Sequence, residues 1–385
     1  MLVRTTRMTV VVGLLSFLSA CDDGGGTADA PDLTVTTFNA GLAAGFVPYA
    51  PERAPKVYEK LAGLDTDVLC VQEIWTAEDW SGLRDAASEK WADHYRLDDS
   101  QELAGTCESG ELDDLETCVD AECNPDDVEG LASCALDKCR TEFDALSANC
   151  NRCLIAQVGN TLDDIKTACL SGEPMGIYAY GGSFGTGLLS KYTLEDKDEK
   201  VFLSTANRRA ALHGRIDGVF DKPLHVFCTH LTANLSDVPY TGELESWEKE
   251  QATQIRVMLQ WVNSKIRDDD GYVVLLGDLN CGPEGVAGID SELPDNYKLF
   301  ADADYANPYL AQSPECTFCD SNPLLTDAAG GEGGLIDHIL SPSSGALDFT
   351  VERTLDETFK LEVDGEDVDA AYSDHYALRG EIRAK

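Results

Sequence analysis

Positive charge is what this 385-residue sequence lacks: 29 Lys and Arg stand against 70 Asp and Glu, for a net charge of −41. So acidic a surface repels a phosphate backbone and excludes a high-affinity, non-specific nucleic-acid binder. It does not exclude an enzyme that cuts phosphate esters with a metal, because a bound cation reverses the local field. Long apolar runs are missing too. The run Thr9–Ala20 falls short of the ~20 residues a membrane-spanning helix needs, and no other run approaches it. The 43% apolar content still suffices for a core, and the length suits one large domain or two ordinary ones.

Residues 1–20 read as an export signal: Arg4 and Arg7, then the apolar run, then small residues at a cleavage point. Leu18-Ser19-Ala20-Cys21 resembles the lipobox of bacterial lipoproteins, which implies lipidation at Cys21; an ordinary secretory signal is the alternative. Residues 21–31, with Asp22-Asp23-Gly24-Gly25-Gly26, form a flexible tether, and residues 32–385 the main domain. The expected location is outside the cytoplasm, either secreted or held by the lipid on a bacterial membrane, periplasmic or at the cell surface.

Export gives meaning to the 14 cysteines, because disulfides are the default in an oxidising compartment. Eight of them crowd one acidic stretch, residues 105–170: Cys107, Cys118, Cys123, Cys134, Cys139, Cys150, Cys153 and Cys169. Gaps of ten and four residues alternate, and the apolar residues between fall at helical spacing (Leu112, Leu115, Val119; Leu131, Ala135; Phe143, Leu146). Two Cys eleven apart would sit about three turns apart on one helix face. The expectation is a helical insert of short antiparallel helices stapled by disulfides. Zinc is the rival reading, and only Cys150/Cys153 has the tight spacing it needs. Cys70 and Cys228 lie within apolar strands and read as buried free thiols.

Strands are expected at Leu33–Phe38, Asp67–Val71, Gly187–Ser190, Ala210–Ile216, His225–Cys228, Tyr272–Leu276, Gly334–Leu340 and Tyr376–Ile382. Helices are expected near Pro55–Leu64 and over Glu243–Ile266, where Trp247, Gln251, Ile255, Met258 and Val262 recur at three- and four-residue steps. Many strands with few helices between them imply an α+β or layered sandwich.

Five of the apolar strands end in a polar side chain competent for metal or phosphate: Asn39, Gln72-Glu73, His230, Asp278-Leu279-Asn280 and Asp337. A sixth group, Ser373-Asp374-His375, precedes the last strand. Strand ends gathered at one sheet edge are where sites are built. Carboxylates with amide oxygens suit a hard divalent cation, and a His beside an Asp suits a general base of fixed tautomer.

Gly277-Asp278-Leu279-Asn280, Ile336-Asp337 and Ser373-Asp374-His375, in that order, resemble the endonuclease/exonuclease/phosphatase superfamily. The resemblance runs from Leu33 to Ile382 around the insert, and implies a four-layer α/β sandwich with two packed mixed β-sheets and a metal-dependent phosphoric diester hydrolase. Position by position it implies that Glu73 holds Mg2+ (or Mn2+ or Ca2+), with Asn39 beside it and Asp374 near it. Asp278 and Asn280 then orient water or phosphate oxygens, His375 is the general base, Asp337 orients it, and His230 donates to the phosphate. By the same analogy Cys316 and Cys319 staple a loop near the site, with Cys281 as a candidate partner.

Thr229-His230-Leu231-Thr232-Ala233 and Tyr372-Ser373-Asp374-His375-Tyr376 are similar to segments of bacterial neutral sphingomyelinases, which implies phospholipase C-type chemistry on a lipid head group. Thr317-Phe318 with Asp320 and Asn322 also fits. Residues 356–367 depart from that pattern: where those enzymes expose aromatics on a membrane-dipping hairpin, this stretch is acidic with one aromatic, Phe359. A lipid head group is favoured over nucleic acid as the phosphodiester substrate. The alternatives are an extracellular endonuclease on the same fold and a non-catalytic binding module that uses the insert; no partner for the insert is legible. Arg208-Arg209 read as surface pairing more readily than as an anion site, and His94, His213, His225 and His338 as surface or packed residues.

Overall fold

In a computed structural model the described residues are 32–98, 106–172, 176–267, 270–325 and 333–385; the expected export signal, Cys21 and the tether lie outside them. The strands are β1 (Leu33–Asn39), β2 (Val68–Gln72), β3 (Asp93–Arg96), β4 (Gly187–Ser190), β5 (Glu195–Val201), β6 (Ala210–Ile216), β7 (Leu224–His230), β8 (Tyr272–Asp278), β9 (Tyr305–Ala306), β10 (Asp337–Pro342), β11 (Leu347–Thr354), β12 (Thr358–Val363), β13 (Glu366–Ala371) and β14 (Ala377–Ala384). The helices are α1 (Ala50–Gly63), α2 (Ala77–Ala86), α3 (Asp113–Glu122), α4 (Leu131–Lys138), α5 (Arg140–Asp144), α6 (Ala148–Ala156), α7 (Leu162–Leu170), α8 (Trp247–Ile266) and α9 (Pro294–Asp302).

Side-chain alternation sorts the apolar residues into layers. Along β8, Tyr272, Val274 and Leu276 face the other sheet, while Val273 and Leu275 face α8 and α9. One sheet has the order β11-β14-β1-β2-β4-β3 and the other β5-β6-β7-β8-β10-β9. Each is antiparallel except for one parallel pair, β1 with β2 and β7 with β8. Between the sheets lie Leu33, Val35, Val68, Val226, Val274, Ile339 and Leu378. Helices α1 and α2 cover one outer face through Val57, Leu61 and Leu83, and α8 and α9 the other through Ile255, Met258 and Phe300. The architecture is thus the expected four-layer α+β sandwich with two mixed sheets and a disulfide-rich helical region.

Several local expectations change. Helix α1 begins at Ala50, not near Pro55: Pro51 takes the first turn, where its missing N–H costs nothing, and Pro55 is carried inside the helix. Cys70 and Cys228 are not free thiols but a disulfide joining β2 to β7. Both point to the space between the sheets, and the 158 residues separating them hide that pairing in the sequence. The eleven-residue Cys spacing does not lie along one helix. Cys123 and Cys134 bond across the turn between α3 and α4, and Cys118 and Cys139 bond the same pair of helices again. Cys107–Cys150 and Cys153–Cys169 complete four disulfides, which leaves no thiolate among the eight for zinc. Cys316 and Cys319 close on each other, while Cys281 is free and buried under α8 and α9.

Candidate active site

The register of the two parallel pairs builds the site. Asn39 lies level with Gln72 at the end of β1 and β2, and His230 level with Asp278 at the end of β7 and β8. Asp337, the first residue of β10, pairs with Asp278. Gly277 makes the β8 end possible: opposite Thr229, with φ of 157°, a β-carbon there would run into the Thr229 carbonyl oxygen. Two non-glycine residues next to these ends take left-handed backbone, Glu73 (φ 57°) and Asn280 (φ 48°). Asn tolerates this conformation; for Glu it costs on the order of 1–2 kcal/mol, strain that clusters at functional sites.

Hydrogen bonds join the two sheet edges. Asn39 Nδ2 donates to Asp278 Oδ2 at 2.9 Å, His375 Nδ1 sits 2.8 Å from Asp337 Oδ2, and His230 Nε2 lies 3.3 Å from Asp278 Oδ2. Asn280 N donates to Asp278 Oδ1 (2.9 Å), while the Asn280 side chain donates to the Leu231 carbonyl (3.0 Å). Ser373 Oγ donates to Asp374 Oδ1 (3.0 Å), and Gly41 leaves no room for a side chain beside that carboxylate. Asn39, His230, Asp278, Asp337, His375 and Asp374 are all buried. The Thr317–Asn322 segment packs beneath them. Thr317 Oγ1 accepts from Asp337 N, the Phe318 ring lies 4.9 Å from His375, and Asn322 Nδ2 donates to the Ser373 carbonyl.

Charge is unevenly compensated here. Burial and the neighbouring Asp374 push the Glu73 carboxyl up to about 7, and burial with Asp337 pushes Asp278 up to about 6. Burial works against protonation of His375, but Asp337 and Asp278 outweigh it and raise its pKa well above the usual imidazole range. His230 goes the other way: burial, then Arg209 and His375, keep it neutral. Asp337 Oδ1, Gln72 Oε1 and His230 Nδ1 are buried without a hydrogen-bond partner. Crowded carboxylates and the orphaned oxygens of Asp337 and Gln72 are what a divalent cation relieves, so the oxygen-bearing residues of this edge fit such an ion. The tightest acidic group is Asp278, Asp337 and His375, whose donor atoms lie within 4.8 Å of one another. Its His375 nitrogen is already bonded to Asp337, so it reads as a proton-holding cluster, with Glu73 and Asp374 the freer carboxylates. A second group, Cys107, Glu111 and Cys150, has both sulfurs in one disulfide and is no metal site.

Three arginines are buried around the site. Arg208 and Arg209 are buried, not paired at the surface. Arg209 stands just before β6, at the His230 end of that sheet, beside the Trp75 ring; its Nε and Nη1 have no hydrogen-bond partner. Arg53 is fully buried in α1 and donates to the carbonyls of Gly41, Pro48 and Tyr372, tying the loop after Asn39 to the segment before Asp374. The signal for Arg53 was its position on the apolar stripe with Val57 and Leu61.

Residues 36–375 match the Endonuclease/Exonuclease/phosphatase family. A search of curated proteins finds no match. Among solved structures, beta toxin from Staphylococcus aureus, a double mutant with bound magnesium ions, is similar with a TM-score of 0.55 and 13% identity, over 92% of this chain and 100% of that one. Sphingomyelinase C from Streptomyces griseocarneus gives a TM-score of 0.53 and 15% identity, over 91% and 99%. TDP2 from Caenorhabditis elegans gives 0.53 and 13%, over 92% and 75%. At these identities the likeness is one of fold. The family match over most of the chain decides the class: this protein belongs to the endonuclease/exonuclease/phosphatase family and is a phosphodiester hydrolase.

Proposed function

We propose that this protein is an exported, Mg2+-dependent phosphodiesterase of phospholipase C type, with the phosphodiester of a lipid head group as substrate. The observation that supports this most is the 2.8 Å contact of His375 Nδ1 with Asp337, inside a buried cluster that reaches Asn39 on the other sheet through Asp278. Glu73, with Asn39 and Asp374, would hold the cation. When bound, it supplies positive charge at a phosphoryl oxygen and lowers the proton affinity of His375.

Asp337 fixes the His375 ring so that Nε2 faces the reacting side and accepts a proton from water. Asp278 and Asn280 orient that water, which attacks phosphorus in line as the P–O bond to the leaving group breaks; the departing alkoxide takes a proton from solvent, and the His375 imidazolium returns its proton to solvent. Neutral His230 keeps one N–H to offer a phosphoryl oxygen, and the unpartnered Arg209 donors add fixed positive charge on the same edge. A net charge of −41 and the segments Thr229–Ala233 and Tyr372–Tyr376 favour a lipid over DNA. Lipidation at Cys21 would hold the enzyme at a membrane, and six disulfides suit an oxidising compartment.

The test sets purified protein with Mg2+ against sphingomyelin vesicles and plasmid DNA in parallel, with His375→Ala as the blank. Phosphocholine release that vanishes in the variant is the expected result. Nicked plasmid instead would make the protein a nuclease, and cleavage of neither would favour a binding module.

A further inference from the structure

Helix α8 opens with polar residues where its own pattern calls for core. Ile255, Met258 and Val262 lay an apolar stripe on the sheet, but the turns before them bury Glu250, Gln251 and Gln254 instead, 0%, 0% and 1% exposed. A buried carboxylate and two buried amides in one patch are costly unless each finds partners. They find them on three segments next to the strand ends of the active site. Thr232, two residues beyond His230, is held at every polar atom. Its N donates to Gln254 Oε1 (2.9 Å), and its carbonyl accepts from Gln251 Nε2 (2.7 Å). Its hydroxyl donates to Glu250 Oε1 (2.8 Å) and accepts from Gln254 Nε2 (2.8 Å).

The same three side chains reach the other two segments. Gln251 Nε2 donates to the carbonyl of Asn280 (2.8 Å), the residue of left-handed backbone just after Asp278. Glu250 accepts from Thr205 N (3.0 Å) and Thr205 Oγ1 (2.7 Å), and Gln254 Nε2 donates to the Leu203 carbonyl (3.0 Å). Leu203 and Thr205 lie in the loop between β5 and β6. That loop closes where Phe202 N donates to the Arg209 carbonyl (3.0 Å) and Arg209 N to Ser204 Oγ (3.3 Å). One end of one helix thus ties together the segments next to His230, Asn280 and Arg209. It is anchored in turn to α9, where Asn296 Nδ2 donates to Gln251 Oε1 (2.9 Å). The other half of the site has different support: Thr317 Oγ1 accepts from Asp337 N, and Asn322 donates to the Ser373 carbonyl.

We propose that Glu250, Gln251 and Gln254 are positioning residues that set His230, Asn280 and Arg209 together as the phosphoryl-binding half of the site. The effect on turnover rests on the phosphodiesterase reading; the clamp does not, and is read by amide hydrogen exchange without substrate. The variants are Gln254→Leu, Glu250→Leu, Glu250→Gln and, as a control for helix packing, Val262→Ala. In Gln254→Leu and Glu250→Leu, exchange over residues 203–209 and 230–234 should accelerate by about tenfold or more, while residues 33–39 and 373–378 keep the wild-type rate. On bis(p-nitrophenyl) phosphate with Mg2+, kcat should fall by about 10–100-fold in both, with KM within about threefold of the wild type. Glu250→Gln should recover most of that loss, because the Thr205 and Tyr240 hydroxyls that donate to Glu250 Oε2 can turn and accept from the new amide. Val262→Ala should lower the melting temperature and leave kcat unchanged. Equal acceleration of exchange in all four segments, or a fall in kcat with Val262→Ala that matches Gln254→Leu, would make this end of α8 a stability element and overturn the proposal. Wild-type kcat in both Leu variants, or a Glu250→Gln loss as large as that of Glu250→Leu, would overturn it too. If Gln254→Leu does not fold, the two Glu250 variants decide in the same way. No turnover by the wild type counts against the phosphodiesterase reading alone, and the exchange pattern still decides the clamp.

Discussion

Sandwich and insert solve the same problem, holding short elements together, by different physics. The sandwich stacks four layers around apolar clusters large enough to bury Asn39, Asp278, Asp337 and His375 at its edge, and carries one disulfide between its sheets, Cys70–Cys228. The insert has helices of five to ten residues and one small core, in which cysteines do much of the packing. So little apolar area cannot order five short helices, and four disulfides take its place. The buried polar cluster therefore sits on the layered part, while the cross-linked part holds only its own small core.

The strongest way to break this contrast is to remove the proposed base. His375→Ala should lower kcat on a small chromogenic diester by about 10²–10⁴, without opening the insert to protease. The Cys153→Ser/Cys169→Ser double variant should do the reverse. Losing a closure of about 15 residues costs roughly 3 kcal/mol, so proteolysis within the insert should accelerate by about a hundredfold while turnover of the small diester survives. Equal loss of activity would mean that the two regions are not separable.

A third expectation sharpens the sandwich side. His338, fully buried, donates from Nε2 to the Cys281 carbonyl (2.8 Å) and accepts at Nδ1 from Asn307 Nδ2 (2.9 Å), a pattern only the neutral ring satisfies. Burial, opposed by the Cys281 carbonyl and Asp337, lowers its pKa to about 4. Since the unfolded chain takes up this proton near pH 6.5 and the folded chain only near 4, stability is complete above about 6.5 and falls as pH drops through that window, by up to about 3 kcal/mol. Denaturant midpoints between pH 7 and 4 should show this slope, and His338→Gln should lessen it by the His338 share, since burial also holds His213 and His230 neutral. The smallest effect concerns the cation. With Glu73 pushed up to about 7, protons compete for its carboxylate below that pH. Mg2+ affinity should weaken by up to about tenfold per pH unit there, with proton release on binding, as calorimetry in two buffers would show.

The polar ends of the strands were legible because each follows a strand-like run rich in apolar and β-branched residues, clearest in Tyr272–Leu276 before Gly277-Asp278. What brings them together was not, since registers such as His230 with Asp278 arise from pairing across the chain. Strand β5, Glu-Asp-Lys-Asp-Glu-Lys-Val, carries no apolar pattern because it is an exposed edge, where charge discourages further pairing. The β12–β13 hairpin carries a local signal, Asp364-Gly365, whose positive φ values of 53° and 84° suit a two-residue turn. The one aromatic of that acidic stretch, Phe359, packs on Tyr372 rather than standing free. Arg53 and Arg209 escaped because a charged residue is ordinarily a surface residue, and only the tertiary fold supplies the carbonyls and carboxylates that allow their burial.

Turnover, on the proposed function, depends on Asp337 holding His375 for proton transfer. Its most direct test is the turnover of bis(p-nitrophenyl) phosphate with Mg2+ by Asp337→Asn, which keeps the shape of the side chain and removes its charge. The expected result is a fall in kcat of about a thousandfold or more, with KM and the melting temperature little changed. A kcat within about threefold of the wild type would contradict it.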